Sequence, residues 1–122
     1  MKSNEVCTIF NRIYDPIYRK YILQPTVAEG VFWQEKIGAS FSKEEGMHGS
    51  NEVSIIIPFG AKFTRDFAVT EDFEENPNAY FTLRPEDKIM KGVSSGRSLT
   101  ILSVSRFDYG SKGLQHWEVV AK

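Results

Sequence analysis

Apolar residues in this chain recur at every second position, in short runs, with no long helical periodicity. Val53, Ile55 and Ile57 share one face of the run Glu52–Phe59. Leu99, Ile101 and Ser103 alternate with Thr100, Leu102 and Val104, and Trp117, Val119 and Ala121 alternate again through the run Gln115–Ala121. A period of two sends successive side chains to opposite faces of a strand, so each run builds one buried face. The expected fold is all-β and mainly antiparallel. It is a small β-barrel or sandwich of about six to eight short strands, with long irregular loops and room for one short helix.

The chain has 122 residues, which suits one β domain spanning 1–122. A chain of this size buries roughly 65% of its unfolded surface, enough for one core. With 41% hydrophobic and 13% aromatic residues, global disorder is not expected. Fifteen Lys and Arg against sixteen Asp and Glu give a formal net charge of -1. There is therefore no broad basic footprint for duplex DNA. Cys7 is the single cysteine, which excludes an internal disulfide and a cysteine-rich zinc site. It reads as a small buried hydrophobe in a chain suited to a reducing cytoplasm. The N-terminal stretch Met1–Val6 has no long apolar run, and Ile55–Phe59 is far too short to span a bilayer. Neither secretion nor membrane insertion is expected.

Along the chain, Cys7–Tyr14 suits a strand, and Asp15-Pro16 is a turn signal, because Pro presets φ and Asp bonds the following backbone. Tyr18–Leu23 reads as the returning strand of a hairpin, with apolar bulk on both of its faces. Thr26–Ile37 reads as a further strand, with Val27, Val31, Trp33 and Ile37 on one parity and Gly30 marking a bulge or bend. Residues 38–51 read as a long polar connection. Residues 61–79 are the second long loop and the least regular stretch; a short helix fits between Phe63 and Glu75, and Pro77 would stop it. Tyr80–Leu83 then leads to a polar turn at Arg84-Pro-Glu-Asp87, and short strands follow at Lys88–Lys91, Leu99–Phe107 and Gln115–Ala121.

No pattern nominates catalysis, a cofactor or a metal. Asp72, Glu74, Asn76 and Asn78 have the two-residue spacing of a calcium loop, but Pro77 stands where that loop needs Gly and Leu83 where it needs a bidentate Glu. His48 and His116 are the two histidines, and neither has a His or Cys at ligand spacing. His116 and Glu118 should face solvent and Trp117 the core. Neither Gly46/Gly49 nor Gly92/Gly96 precedes the strong helix a phosphate cradle requires. Glu44 and Glu45 could pair with the Glu71–Glu75 group only under a test many acidic chains pass, so no enzyme is expected. Between Asp66 and Leu83 there are five acidic residues and no basic one, interspersed with aromatics. Two readings of this segment stand side by side. In one, Phe63, Phe67, Phe73 and Tyr80 anchor it on a neighbouring subunit, with Asp66, Glu71, Asp72, Glu74 and Glu75 as an acidic rim. In the other, the rings pin a surface loop to its own core.

Four strings carry a resemblance: Gly30-Val-Phe-Trp33, Ser54-Ile-Ile-Ile-Pro58, Pro85-Glu-Asp-Lys-Ile-Met-Lys-Gly92 and His116-Trp-Glu-Val119. In this order they resemble a family of small prophage proteins of Gram-positive bacteria. Those proteins are similar in size and layout to the head-closure (stopper) and head–tail connector proteins of siphophages. The resemblance covers roughly Thr8–Val120, and it offers no catalytic residues to carry over. It implies a non-enzymatic virion protein of the neck, made in the host cytoplasm. Such a protein would form a ring between portal-side or adaptor-side and tail-side proteins, with no cofactor and no membrane. Genomic DNA would pass without sequence-specific binding, repelled by an acidic loop facing the channel. The alternatives are a tail-completion or tail-terminator protein, or a non-phage β-barrel module that binds a sugar or peptide.

Overall fold

Closure of the sheet governs the architecture. A computed structural model describes residues 5–35, 52–94 and 96–122. Among these residues the strands are β1 (Glu5–Asp15), β2 (Lys20–Glu35), β3 (Val53–Pro58), β4 (Lys62–Phe63), β5 (Asp66–Phe67), β6 (Tyr80–Phe81), β7 (Lys88–Lys91), β8 (Ser98–Phe107) and β9 (His116–Ala121). A short helix α1 (Thr70–Glu75) lies between β5 and β6. β1 pairs with β7, then β8, β9, β3 and β2 follow in order, and β2 pairs back onto β1. The result is a six-stranded antiparallel barrel, the all-β architecture the alternation predicts. A closed ring leaves no free sheet edge around the core. The connection expected at residues 38–51 lies outside the described residues, as do Glu44, Glu45 and His48.

Two single-residue insertions bend the barrel. Thr26 and Ala28 face inward on β2, but beyond Gly30 the inward residue is Val31, with Trp33 packed against the core. Glu5 pairs with Val31 while Val6 pairs with Glu29, so Gly30 is the extra residue. Its φ of +96° is a conformation L side chains rarely adopt. Val27 therefore does not share the inward parity of Val31. The second insertion is in β8, where Ile101 pairs with Ala121 and Ser103 with Val120. Leu102 is left over, and the inward parity passes from Leu99 and Ile101 to Val104. The expected separate strands Tyr18–Leu23 and Thr26–Ile37 are one continuous strand, β2. Pro25 does not interrupt it. Val27, of the same parity, turns its backbone N–H and C=O toward Thr64 on the β4 side, so the missing N–H of Pro25 faces away from β1.

The core is made by Ile9 (β1), Val31 (β2), Ile55 and Ile57 (β3), Ile89 (β7), Ile101 (β8) and Val119 (β9). Trp117 forms an aromatic cluster with Phe59, Phe63 and Phe67 at 4.4, 6.1 and 4.7 Å between ring centres. Phe81 joins at 4.9 Å from Phe63 and 5.7 Å from Phe67. Residues 61–79 are thus not one irregular loop. β4 extends the sheet beside β2, β5 pairs in parallel with β6, and α1 is confined to six residues between them.

Near β7 the interior is polar, and the side chains of Asn11 and Asp87 there are both hydrogen-bonded. Asn11 is fully buried. Its Nδ2 donates to Thr82 O and to Asp87 Oδ2, each at 2.8 Å, and its Oδ1 accepts the Thr82 N–H at 3.1 Å. Asp87 Oδ2 also accepts from Arg84 Nε at 2.7 Å, while its Oδ1 takes the Arg12 N–H at 3.4 Å. The Asp87 backbone carbonyl accepts the Ile101 N–H, and the Ile101 carbonyl accepts the Glu86 N–H, both at 2.8 Å. Gly92, with φ of +82°, ends β7; its N–H donates to Val6 O at 2.7 Å and its carbonyl accepts from Thr8 Oγ1 at 2.7 Å.

Two outcomes follow from this packing. Asn11→Ala leaves Thr82 and Asp87 short of buried partners, and unfolding in denaturant should show a loss of about 2–4 kcal/mol. Burial pushes the Cys7 thiol from 9.0 up to about 12. The native thiol should therefore resist a disulfide reagent at pH 8 and react on unfolding. Because the folded state holds that proton more tightly, the stability from Cys7 is complete below pH 9 and falls between pH 9 and 12. Comparing wild type with Cys7→Ala across that range isolates the slope.

Candidate functional site

β1 and β2 continue beyond the barrel. β7 pairs with β1 only from Cys7 to Phe10, whereas the β1–β2 ladder runs on to Asp15 and Lys20. From Asn11 outward the two strands have only each other as ladder partners among the described residues, and they project as an arm. The turn at its tip is tied. Asp15 Oδ1 accepts the N–H groups of Ile17 at 2.9 Å and Tyr18 at 3.4 Å, and the Asp15 carbonyl accepts the Arg19 N–H at 2.7 Å. Arg19 closes the turn with φ of +57°, the left-handed region.

The arm carries apolar bulk that the barrel does not cover. Ile17 is 81% exposed and Tyr18 72%, and Tyr14, Tyr21, Ile22 and Leu23 are exposed beside them. Tyr14 and Tyr21 meet edge to face at 5.2 Å, and the Arg12 guanidinium lies 4.8 Å over the Tyr21 ring. Six large apolar side chains within ten consecutive positions are thus exposed, on both faces of the ribbon, and exposed apolar surface of this kind marks an interaction surface.

A groove of about 410 Å³ lies at the base of the arm. One wall is Arg12, Ile13, Tyr14 and Tyr21; the other is Phe73, Glu74 and Pro77, with the turn Arg84, Pro85 and Asp87 beneath. Hydrogen bonds from the arm hold the second wall in place: Gln24 Nε2 donates to Pro77 O at 2.7 Å and to Tyr80 O at 3.3 Å. Arg84 locks the corner. Its guanidinium stacks 5.0 Å over the Phe73 ring, lies 3.6 Å from Glu74, and donates to the Arg12 carbonyl. Pro85 and a positive φ of +77° at Glu86 shape the turn that presents it.

The residues singled out in the sequence are distributed differently. Phe73 is 2% exposed and is the buried residue of α1. Phe63 and Phe67 pack on the barrel's own core, and Tyr80 is half-buried in β6. The rings therefore pin this segment to its own chain, and Phe73 in particular cannot serve as an anchor on a neighbour. Glu71, Asp72, Glu74 and Glu75 lie exposed together on α1, while Asp66 sits apart on β5 beside a polar depression lined by Pro25, Arg65 and Asn78. The exposed apolar surface is on the arm instead. Its signal was the apolar bulk on both faces of Tyr18–Leu23, more than one core can bury. His116 stacks on Phe107 at 5.0 Å, with Nδ1 2.7 Å from Leu114 O and Nε2 3.3 Å from Glu118. Trp117 between them is buried. Among the described residues no group of three or more His, Cys, Asp or Glu side chains could hold a metal, and no helix is long and apolar enough to cross a membrane.

Fold and surface together define a small closed antiparallel barrel with one projecting apolar hairpin. Residues 1–122 match the family described as a family of unknown function, DUF6751, and the chain belongs to that family. No curated protein and no solved structure matches it.

Phe73→Ala should lower stability by about 3–5 kcal/mol in denaturant unfolding, with a midpoint independent of protein concentration. A small loss that grew with protein concentration would mean that Phe73 acts between chains.

Proposed function

We propose that the protein is a structural component of the phage neck, a head-closure or head–tail connector protein. In this reading it joins the DNA-filled capsid to the tail by assembling into a ring. The observation that carries it is the projecting arm, with its apolar side chains held ready on a tied turn. An arm of this kind gains most when a second protein buries it. The motif resemblance in Pro85–Gly92 and His116–Val119 points the same way. Both strings have clear structural work in the barrel. Asp87, Ile89 and Gly92 belong to the closure at β7, and Trp117 and Val119 belong to the core.

In this role the partners are portal-side or adaptor-side and tail-side phage proteins, together with further copies of the chain. The protein would act in the virion neck after assembly in the host cytoplasm. The exposed carboxylates of α1, with Asp66, would line a path that repels passing DNA and lets it slide. No catalytic step is assigned.

Electron microscopy of particles from the parent phage or prophage lacking this gene tests the reading. Free tails beside heads that have lost their DNA are expected. Full heads beside unattached, overlong tails would reassign the protein to tail termination. Normal particles would overturn the structural role and favour a ligand-binding module using the groove at the base of the arm.

A further inference from the structure

The arm and the groove are complementary, but one chain cannot bring them together. The groove wall includes Tyr14 and Tyr21, which belong to the same paired ladder as the tip. The tip lies further out along that ladder and cannot fold back without breaking it. A second copy meets no such obstacle. We propose that the tip of one copy's hairpin seats in the groove of the next copy, head to tail.

Shape and charge both favour this occupant. Ile17 and Tyr18 are the most exposed large apolar residues of the arm, and a groove of about 410 Å³ has room for both side chains. The tip also carries Arg19 and Lys20, while the Asp15 carboxylate is occupied by the turn amides. In the groove, Arg12 is stacked on Tyr21 and Arg84 bridges Asp87 and Glu74, so the rim charge open to the tip is that of Glu71 and the exposed acids beside it on α1. Glu74 lines the groove, and Glu71 lies one turn earlier on the same side of the helix. A cationic, apolar tip thus meets an anionic rim beside a groove whose lining mixes aromatic and charged side chains. Arg19 occupies a left-handed position that glycine would take with less strain, so a charged side chain stands there despite the backbone. The tied turn lowers the ordering cost of docking.

A contact between two different surfaces of the same chain is heterologous, and it closes into a ring when the rotation between copies divides a full turn. The proposal rests on the ring assembly proposed above and names its contact. It also leaves Asp72, Glu75 and Asp66 outside the contact, free to face a channel.

Cysteine cross-linking of the full chain tests it, because Cys7 is buried and does not compete. A Tyr18→Cys chain mixed with a Glu74→Cys chain should give the mixed disulfide in preference to either homodimer. A chain with both substitutions should give a ladder of multimers. Arg19→Glu with Lys20→Glu should lower the cross-linking yield about tenfold, and adding Glu71→Lys to the groove partner should restore part of it. An excess of the disulfide homodimer of the Tyr18→Cys chain, or no cross-link at concentrations where sedimentation shows self-association, would overturn the contact. So would no cross-link in a chain that sediments as a monomer at all concentrations. The two readings separate cleanly: a missing cross-link with a neck defect in the gene deletion sinks the contact alone, whereas normal particles sink the neck role whatever the cross-link shows.

Discussion

The carboxylate of Asp87 is the point on which the structure turns. Buried next to Asn11, it accepts hydrogen bonds from the first strand, from Arg84 and, through Asn11, reaches the backbone of Thr82. Those partners lie in two stretches of chain far apart in sequence, β1 and the segment just before β7. β7 is a strand of four residues, too short to hold the ring closed by its ladder alone. The side-chain network supplies the missing connection between β1 and β7 and fixes where the crossing segment enters. A buried charge is tolerated only when its hydrogen-bonding capacity is filled, so the network works as a unit and not as a sum of pairs. The same guanidinium that serves Asp87 covers Phe73 and touches Glu74. Arg84 therefore links barrel closure to the shape of the groove.

The barrel was legible where a period of two ran unbroken. Val53, Ile55 and Ile57, and Trp117, Val119 and Ala121, announce buried faces, and those faces are buried. The bulge at Gly30 was legible because glycine tolerates its positive φ. The bulge at Leu102 was not, because an ordinary leucine occupies it and nothing local marks the change of parity. The union of Tyr18–Leu23 and Thr26–Ile37 into one strand across Pro25 was not legible for a related reason. A proline interrupts a ladder only when its missing donor faces a partner strand, and that depends on a register no single segment contains. The short strands β4 and β5 were invisible in the sequence, since two residues cannot display a period. Their existence depends on β2 and β6 being nearby.

The candidate surface was half legible. The phenylalanines among the acids stood out because bulky rings in a charged loop need an explanation. Two explanations were open, and within one chain the barrel offers Trp117 and Phe81 as partners for Phe63 and Phe67. The arm was harder to see. Its sequence reads as an ordinary hairpin, and what sets it apart is how far the neighbouring strand extends. β7 stops at the partner of Cys7 on one side and Phe10 on the other, and this leaves the outer half of the hairpin uncovered. Exposure here is a consequence of a neighbour's length; the apolar bulk on both faces of Tyr18–Leu23 signals that some of it stays uncovered but not where the covering strand stops.

That division within β1 and β2 separates reach from stability. The inner half of the hairpin belongs to the ring, and changing its length would disturb closure and the Asp87 network. The outer half pairs only with itself. Adding or removing two residues from each strand there would shift the tip by about 7 Å while every side chain kept its facing. A barrel of this design can keep one core while its arm is lengthened or shortened to span different distances, so the spacing of whatever it joins becomes an independently adjustable property of the chain.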